Sequence, residues 1–444
     1  MTVYFDVTDL ISESQFTHRL SGFQRVGLMV AKLLQAEVDN IKFFFWHPFD
    51  GHPYLLEGLD FSTQEDLRNF EPIVNFWKIR LSRNGELRRE ISNCRSFVKK
   101  IKVLGRWVRS LYYRYSQAYI SYGKDGVVFH PFDDFGTIAT FLFFTPINPD
   151  AVDSIKSRFK DTRTVFFIHD LIPLTLPEYV SPNETECFSR YIPYVMKTAD
   201  LILTSSESNK RDLLSYAERI KICDRPFLKI ELTQLPGEET AKFKNSDIKN
   251  LRPEVRWLSK YKFCISVGTI GMRKNHFEMV QAWQRFWKSD CYNNELLVIV
   301  GNCNRELEWL DSRLATLAGG SIIRIPSANE KELAFLYEKC RFSIYPSFAE
   351  GWGMPVSESI SFGKPAIHLM ESAIPEAGFG SSIGIERDDL HAFECVIARL
   401  FKDEEYYQQQ REKIEATKNI LPTWEDFAKR VLSAISPLIE IKHS

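Results

Sequence analysis

Short apolar runs alternate with segments of helical periodicity through the second half of the chain. The runs that predict strands are Phe263–Val267, Leu296–Val300, Ile322–Ile325, Phe342–Tyr345 and, as the last clear one, Pro365–Leu369. Strands that alternate with helices predict β-α-β units, in which helices cover both faces of a parallel sheet. Open sheets of this type bind ligands beyond the carboxyl ends of their strands, so we expect functional residues in the loops that follow these runs.

The first half of the chain shows the same alternation less regularly. A helical pattern occurs at Val26–Ala36, between the first two apolar runs. The runs predict strands at Val3–Val7, Ile41–Trp46, Gly126–Pro131, Phe141–Pro146, Thr164–Asp170, Leu201–Thr204 and Leu228–Leu232. Both halves therefore predict doubly wound α/β sheets.

The length of the chain favours two domains. Its 444 residues exceed what one hydrophobic core usually supports. We place the first domain at residues 1–245, with an insertion at about 60–125, and the second at 257–422. Residues 242–256 are polar and aperiodic, as is typical of a linker. The amphipathic segment Trp424–Ile435, within 423–444, predicts a helix that closes the chain.

Composition excludes several classes of protein. The net charge of −1 argues against a protein devoted to nucleic acid. The eight cysteines form no C-x-x-C pair, which predicts reduced thiols rather than disulfides or zinc. The N-terminus lacks a signal-peptide pattern, and the longest apolar stretch, at 138–147, is about half of the ~20 residues that span a bilayer. We expect a cytoplasmic protein, with peripheral contact at the inner face of the membrane as an open option.

The segment 78–114 is strongly basic. It holds twelve Lys or Arg residues against Glu86 and Glu90. Apolar residues recur at helical spacing on one side of it, at Phe97, Ile101, Leu104, Val108 and Leu111. A solvated helix that packs on its domain explains the pattern most simply. A basic amphipathic helix can also lie on an anionic membrane, or bind an acceptor or a partner, and these alternatives stay open.

A loop with two glycines and two carboxylates follows the run at 342–345. Gly351 and Gly353 lie two residues apart, and Pro355 stands where a helix would begin. Free backbone N–H groups and the positive end of the helix dipole make such a loop an anion site. Glu350 and Glu358 indicate that the ligand also carries hydroxyl groups, which points to a sugar nucleotide.

A second candidate phosphate site is the loop Gly268–Asn275, between a predicted strand and a predicted helix. Arg273 and Lys274 stand just before the helix, where cations oppose the helix dipole unless an anion binds there. The loop is neither G-x-G-x-x-G nor a Walker A motif, which disfavours a dinucleotide cofactor or a P-loop ATPase. The chain contains no D-x-D motif and no cluster with metal-ligand spacing, so we expect no metal.

Together these motifs resemble the retaining GT-B glycosyltransferases of family 4, also called group 1. The resemblance rests on Gly268–Asn275, on Ser347–Glu358 with its E-x7-E pair, and on Gly363–Pro365, Phe167–Pro173, Ala199–Glu207 and Pro375–Gly378. It implies an α/β GT-B fold, in which two Rossmann-like doubly wound domains face each other across a cleft.

The resemblance also implies an activity. A hexose would move from a GDP- or UDP-sugar to a hydroxyl of a glycan or lipid-linked glycan, with retained configuration and without a metal or other cofactor. Bacterial surface-polysaccharide synthesis is the expected context. Two alternatives stay open: another GT-B enzyme, such as a phosphorylase or epimerase, or an inactive GT-B scaffold that binds partners or membrane.

The family's roles are carried over to matching positions of the Ser347–Glu358 motif. Glu358 would accept hydrogen bonds from the ribose hydroxyls, for which a carboxylate is well suited. Glu350 would bind the transferred sugar near its 3- and 4-hydroxyls. Gly351, Gly353 and Met354 would supply backbone donors, and Pro355 would begin the helix that points at the diphosphate.

The remaining roles fall on the other loops. Arg273 and Lys274, after Gly268, would stabilise the departing diphosphate, although Thr269 replaces an arginine that many relatives carry. His169 would face the donor sugar from the first domain. Gly22 and Arg25 would lie in an N-terminal loop near the donor phosphate and the acceptor.

Overall fold

The computed structural model describes most of the chain. The described residues are 2–14, 22–46, 53–58, 60–61, 120–122, 127–131, 138–144, 146–159, 161–222, 228–237, 251–304, 307–314, 316–418 and 420–439. The basic segment 78–114, nearly all of the predicted insertion at 60–125 and residues 242–250 of the predicted linker lie outside them.

The first half of the chain forms one nine-stranded sheet. Its strands are β1 Thr2–Asp6, β2 Ile41–Trp46, β3 Pro53–Glu57, β4 Ile120–Tyr122, β5 Val127–Pro131, β6 Ile138–Phe143, β7 Asp161–Ile168, β8 Leu201–Thr204 and β9 Ile230–Leu232. They lie in the order β4-β5-β3-β2-β1-β6-β7-β8-β9. The six strands from β2 to β9 in this order pair in parallel.

Strands β3, β5 and β4 add an antiparallel edge that the predicted parallel sheet did not include. Six residues, 47–52, connect β2 to β3. A parallel crossover needs about a dozen residues or more, so this short connection can join only antiparallel neighbours.

The second half forms a six-stranded sheet that is parallel throughout. Its strands are β10 Phe263–Val267, β11 Leu296–Val300, β12 Ile322–Ile325, β13 Ser343–Tyr345, β14 Ala366–Leu369 and β15 Ile383–Ile385. The order β12-β11-β10-β13-β14-β15 is that of a Rossmann sheet. The sequence did not predict β15, because three residues with a central glycine carry too weak a strand pattern.

Helices cover both sheets. They are α1 Thr8–Ser14, α2 Gly22–Glu37, α3 Pro149–Lys156, α4 Ile172–Thr175, α5 Pro182–Thr198, α6 Glu207–Arg219, α7 Pro253–Trp257, α8 His276–Lys288, α9 Glu308–Leu314, α10 Glu330–Lys339, α11 Met354–Ser361, α12 Leu390–Lys402, α13 Glu404–Lys418 and α14 Trp424–Ile435.

The end of the predicted linker is structured. Helix α7 occupies residues that we assigned to an aperiodic linker, and Leu251 and Val255 are buried in the core of the second sheet. Pro253 in the first turn and two buried aliphatic side chains suffice for one helical turn, although five residues are too few to show periodicity.

Helix α14 returns to the first sheet. It spans the predicted residues Trp424–Ile435, and Phe427 and Val431 are fully buried in the core that includes α2 and β1. Thr140 Oγ1 in β6 donates a hydrogen bond to the carbonyl oxygen of Leu438, at 2.7 Å. Helix α14 and the residues just after it therefore pack on the sheet formed by the first half of the chain.

The order of the second sheet brings the two predicted phosphate loops together. Strands β10 and β13 are neighbours at the point where the strand order reverses, and such a switch point is where α/β sheets bind ligands. The loop after β10 contacts the loop after β13, because the carbonyl oxygen of Arg273 accepts from Phe348 N at 2.9 Å and Ser347 Oγ at 3.2 Å.

Candidate functional site

A cavity of about 1000 Å³ lies between the two sheets, at the carboxyl ends of their strands. Arg25 and the following predicted site residues line it: His169, Gly268, Arg273, Lys274, Glu350, Gly351, Gly353, Met354, Pro355 and Glu358. Gly22 is the first residue of α2. Folding thus brings residues that lie up to 333 positions apart in sequence into one site.

Glu350 lies between two cations at the centre of the cavity wall. Its Oε1 is 2.6 Å from Arg273 Nη1 and 2.6 Å from Lys274 Nζ. Ser347 Oγ donates to the same carboxylate at 2.5 Å. Two cations therefore share one carboxylate, so the cluster can neutralise a further anion.

Protonation equilibria in this cluster follow from burial and charge. Burial alone would raise the pKa of Glu350, but Lys274 and Arg273 lower it to about 2. Burial lowers the pKa of Lys274, although Glu350 opposes the shift. Burial would also lower the pKa of Arg273, but Glu350 raises it. Near neutral pH, Glu350 is ionised and Arg273 is charged.

Two residues that the sequence analysis did not single out complete this cluster. Lys274 Nζ donates to the Tyr345 hydroxyl at 2.6 Å and lies 4.8 Å from the centre of its ring. Glu350 N donates to Ser372 Oγ at 2.8 Å. Tyr345 ends the strand before the loop, and that position is the signal that could have found it. Ser372 follows a different strand, and only the fold brings it close.

Gly351 and Gly353 are each needed as glycine, but for different structural reasons. Gly351 lies against the first domain, and a Cβ added there would be 2.3 Å from the carbonyl oxygen of His169. Gly353 has a φ of +112°, which residues with a side chain rarely adopt, and it is the N-cap residue that precedes α11. The first allows the domains to meet closely, and the second turns the chain so that Met354 and Pro355 line the cavity.

Glu358 is buried in the wall formed by α11. Arg25 Nη1 lies 3.3 Å from its Oε1, and Arg25 Nη2 lies 2.5 Å from Glu330 Oε1. Burial raises the pKa of Glu358 to about 7, although Arg25 opposes the shift. Arg25 was expected in a loop near the phosphate, but it lies within α2 and bridges two carboxylates of the other domain. Glu330 was not predicted; it is the first residue of α10, where Asn329 and Glu332 form a capping box.

His169 and Asp170 follow β7 and line the cavity from the first domain. Burial lowers the pKa of His169 to about 3, so the imidazole is neutral near pH 7. Burial also raises the pKa of Asp170, while Arg273 and Lys274 oppose that shift. Asp170 Oδ1 accepts from Ile172 N at 3.0 Å. Asp170 was not in the predicted set, although it is adjacent to a residue that was.

Within the described ranges, no group of three or more His, Cys, Asp or Glu side chains is arranged to hold a metal ion. No helix in the described part of the chain is both long enough and apolar enough to cross a bilayer.

Comparison with known proteins shows which family the second half of the chain resembles. Residues 247–417 match the family model described as "Glycosyl transferases group 1". The chain is 25% identical over 256 residues to the O-antigen chain mannosyltransferase B of Escherichia coli. This alignment covers 55% of this chain and 62% of that protein. It is 25% identical over 267 residues to the serotype-specific mannosyltransferase WbdA of Escherichia coli, or 57% of this chain and 32% of that one. The match thus spans less than two thirds of either relative.

Solved structures share the fold. The structure of Anabaena Alr3699/HepE in complex with UDP and glucose superposes with a TM-score of 0.59 at 11% identity, covering 98% of this chain and 100% of that one. At this identity the likeness concerns the fold alone, and it confirms the predicted GT-B architecture. The match over residues 247–417 confirms the predicted resemblance to the group 1 glycosyltransferases.

Proposed function

We propose that the chain is a retaining, metal-independent hexosyltransferase that uses a GDP- or UDP-sugar. The observation that carries the proposal is the convergence of both glycine loops on one cavity, where Arg273, Lys274 and Glu350 meet. This cluster combines what a sugar diphosphate requires, namely cations for the phosphates and a fixed carboxylate for sugar hydroxyls.

The donor's parts correspond to successive residues of the cavity wall. The diphosphate would lie against Arg273 and Lys274, at the start of α11. The ribose would lie at Glu358, eight residues beyond Glu350 and about one helical turn into α11. In the structure Arg25 forms an ion pair with Glu358. The hydroxyls of a bound ribose would therefore either displace Arg25 or bind the same carboxylate beside it.

The chemistry requires charge stabilisation more than proton transfer. As the bond to the leaving diphosphate breaks, negative charge grows on oxygens that would face Arg273 and Lys274. These side chains are already held by Glu350, so little reorganisation is needed. The neutral His169 can donate or accept one hydrogen bond to the sugar, without introducing a charge beside the reacting carbon. Retention fits attack from the face on which the diphosphate leaves, with that phosphate accepting the proton.

The hexose and the acceptor are proposed from the relatives. Both curated relatives are named as mannosyltransferases, and one is named for the O-antigen chain, which supports mannose transfer in surface-polysaccharide synthesis. The acceptor would enter from the first domain, where Glu178 and Tyr179 line the cavity mouth. Peripheral contact with the inner membrane face is compatible with a lipid-linked acceptor, and it remains part of the proposal.

A thermal-shift panel tests the donor site. UDP, GDP, dTDP, ADP and their sugars are compared, and the matching nucleotide should stabilise the protein by RT ln(1 + [L]/Kd), about 2.7 kcal/mol at a hundredfold excess over Kd. Glu358→Ala should abolish that shift, whereas Glu412→Ala, at an exposed position of α13, should leave it intact. Absence of any shift across the panel would refute the donor site. Release of the sugar from GDP-mannose or its transfer to an acceptor glycan, followed by NMR of the anomeric proton, tests retention.

A further inference from the structure

The first turn of α6 touches the loops of both domains that carry the proposed site. The motif Ala199–Glu207, which ends at this turn, and the motif Pro375–Gly378 were both noted in the sequence, and neither lines the proposed donor site with a charged group. In the structure they meet, although they belong to different sheets.

Asn209 makes the central contact. It is buried, with 3% of its surface exposed. Its Nδ2 lies 2.5 Å from the carbonyl oxygen of His169 and 2.7 Å from the carbonyl oxygen of Gly351. An amide nitrogen carries two hydrogens, so one planar group can serve one carbonyl in each domain. Ser205 Oγ adds a second donor to Gly351 O, at 2.9 Å.

The helix that carries Asn209 is held from the other domain. The carboxylate of Glu376 accepts from Glu207 N at 2.8 Å and from Ser208 N at 2.7 Å. These N–H groups begin α6, where a negative charge is favourable. Ser206 caps the same turn by accepting from Asn209 N at 3.1 Å, so the backbone that carries the amide is fixed.

These contacts lie next to the proposed chemistry. The carbonyl that Asn209 binds in the first domain belongs to His169, and the one it binds in the second follows Glu350 directly. The proposed sugar site is built from these two neighbours, one from each domain. The proposed nucleotide contacts at Arg273, Lys274 and Glu358 belong to the second domain. A change in the distance between the His169 and Gly351 carbonyls should therefore affect the sugar site more than nucleotide affinity.

We infer that Asn209 is a positioning residue that sets the spacing of the cleft at the sugar site, with Glu376 holding its helix in place. The inference rests on the proposed function for its catalytic consequence. Its structural part, that Asn209 holds the two domains at this distance, stands independently.

A graded series of variants tests the inference. Asn209→Asp keeps the shape but turns an oxygen toward two carbonyl oxygens, Asn209→Ala removes the amide, and Ser205→Ala removes only the second donor. Ser215→Ala, at an exposed position of the same helix, is the matched control. Misplacing reacting groups by about 1 Å can cost about 100-fold in rate, so we expect Asn209→Asp to lower kcat by about that factor. Ser205→Ala should lie between it and the control.

Two further measurements separate positioning from a general loss of structure. The Kd of UDP or GDP, measured by calorimetry, should stay within about threefold of the control, because the nucleotide contacts are intact. The radius of gyration from small-angle scattering should increase in Asn209→Asp and not in Ser215→Ala. A kcat within threefold of the control, or equal losses in kcat and nucleotide affinity, would overturn the inference.

Outcomes that affect only one of the two proposals are distinguishable. If the wild-type chain binds no nucleotide, the donor site has failed, and scattering alone decides whether Asn209 holds the cleft. If Asn209→Asp does not fold, Glu376→Gln and Ser205→Ala decide the matter, since each leaves the amide in place and weakens one supporting contact. An unchanged radius and unchanged kcat in both would refute the role.

Discussion

A methyl group at Gly351 would probe how closely the two domains must approach. The added Cβ would lie 2.3 Å from the His169 carbonyl oxygen, 3.0 Å from the carbonyl carbon and 3.3 Å from an oxygen of Asp170. Ordinary Cβ contacts lie at 3.4–4 Å. The loop and the strand end would therefore have to separate by about 1 Å, since backbone on both sides cannot rotate away as a side chain can.

This separation has two calculable consequences. The hydrogen bonds that Gly351 O accepts from Asn209 and Ser205, at 2.7 and 2.9 Å, would lengthen. At about 0.5–1.5 kcal/mol each, their loss would lower the free energy of unfolding by roughly 1–3 kcal/mol. A displacement of about 1 Å between His169 and Glu350 should lower the transfer rate by about 100-fold.

The assay combines urea denaturation with initial rates of sugar transfer. Gly27→Ala is the matched control, because its added Cβ meets only Leu10 Cδ2, at 4.0 Å, within helix α2. That control should keep its rate and be as stable as the wild type or more so, since alanine favours a helix by about 1 kcal/mol over glycine. If Gly351→Ala transferred sugar at the control's rate with unchanged stability, the close approach of the two domains at Gly351 would not be required for activity, and the reasoning would be refuted.

Three further predictions concern the ionisable groups. Because the pKa of Glu350 is lowered from 4.5 to about 2, its stabilising contribution is present above pH 4.5 and is lost as the pH falls toward 2, so denaturation midpoints of wild type and Glu350→Gln should converge over that interval. Because the pKa of Glu358 is raised to about 7, its ionisation opposes folding, so the wild type should lose roughly 1–3 kcal/mol relative to Glu358→Gln between pH 5 and pH 8; a pH-independent difference would contradict this. Burial lowers the pKa of His169 to about 3, so His169→Asn should lower the transfer rate about 10- to 100-fold without moving the pH–rate profile between pH 5 and 9. A shift of that profile in the variant would show that His169 titrates in this range.

The strands of the second half were predictable because each one is short, apolar and followed by a glycine or polar loop. Three of the five predicted runs there match the observed strands at both ends, and the other two begin one residue before the observed strand. Two features were not predicted, each for a physical reason. Strand β15 buries too few side chains to produce an apolar run. The antiparallel edge of the first sheet depends on a short connection between strands and not on the pattern of residues.

Single residues near the site show the same limit. Arg273, Lys274 and Glu350 were predictable because a loop between a strand and a helix, rich in glycine and charge, already indicates an anion site. The contacts of Glu330 and Ser372 were not predictable, because nothing local marks a residue that meets the candidate site only through a partner 305 or 22 positions away.

The sequence by itself determined the fold class, the two glycine loops and the residue types that can bind a sugar diphosphate, because these follow from periodicity and from chemistry within a few residues. Tertiary structure alone decided which of those residues share a carboxylate, which pKa values move, and how the domains meet. Arg25 pairs with Glu358 and Asn209 joins His169 to Gly351 only after both sheets have formed. Such contacts depend on strand order and interdomain distance, and a linear pattern encodes neither.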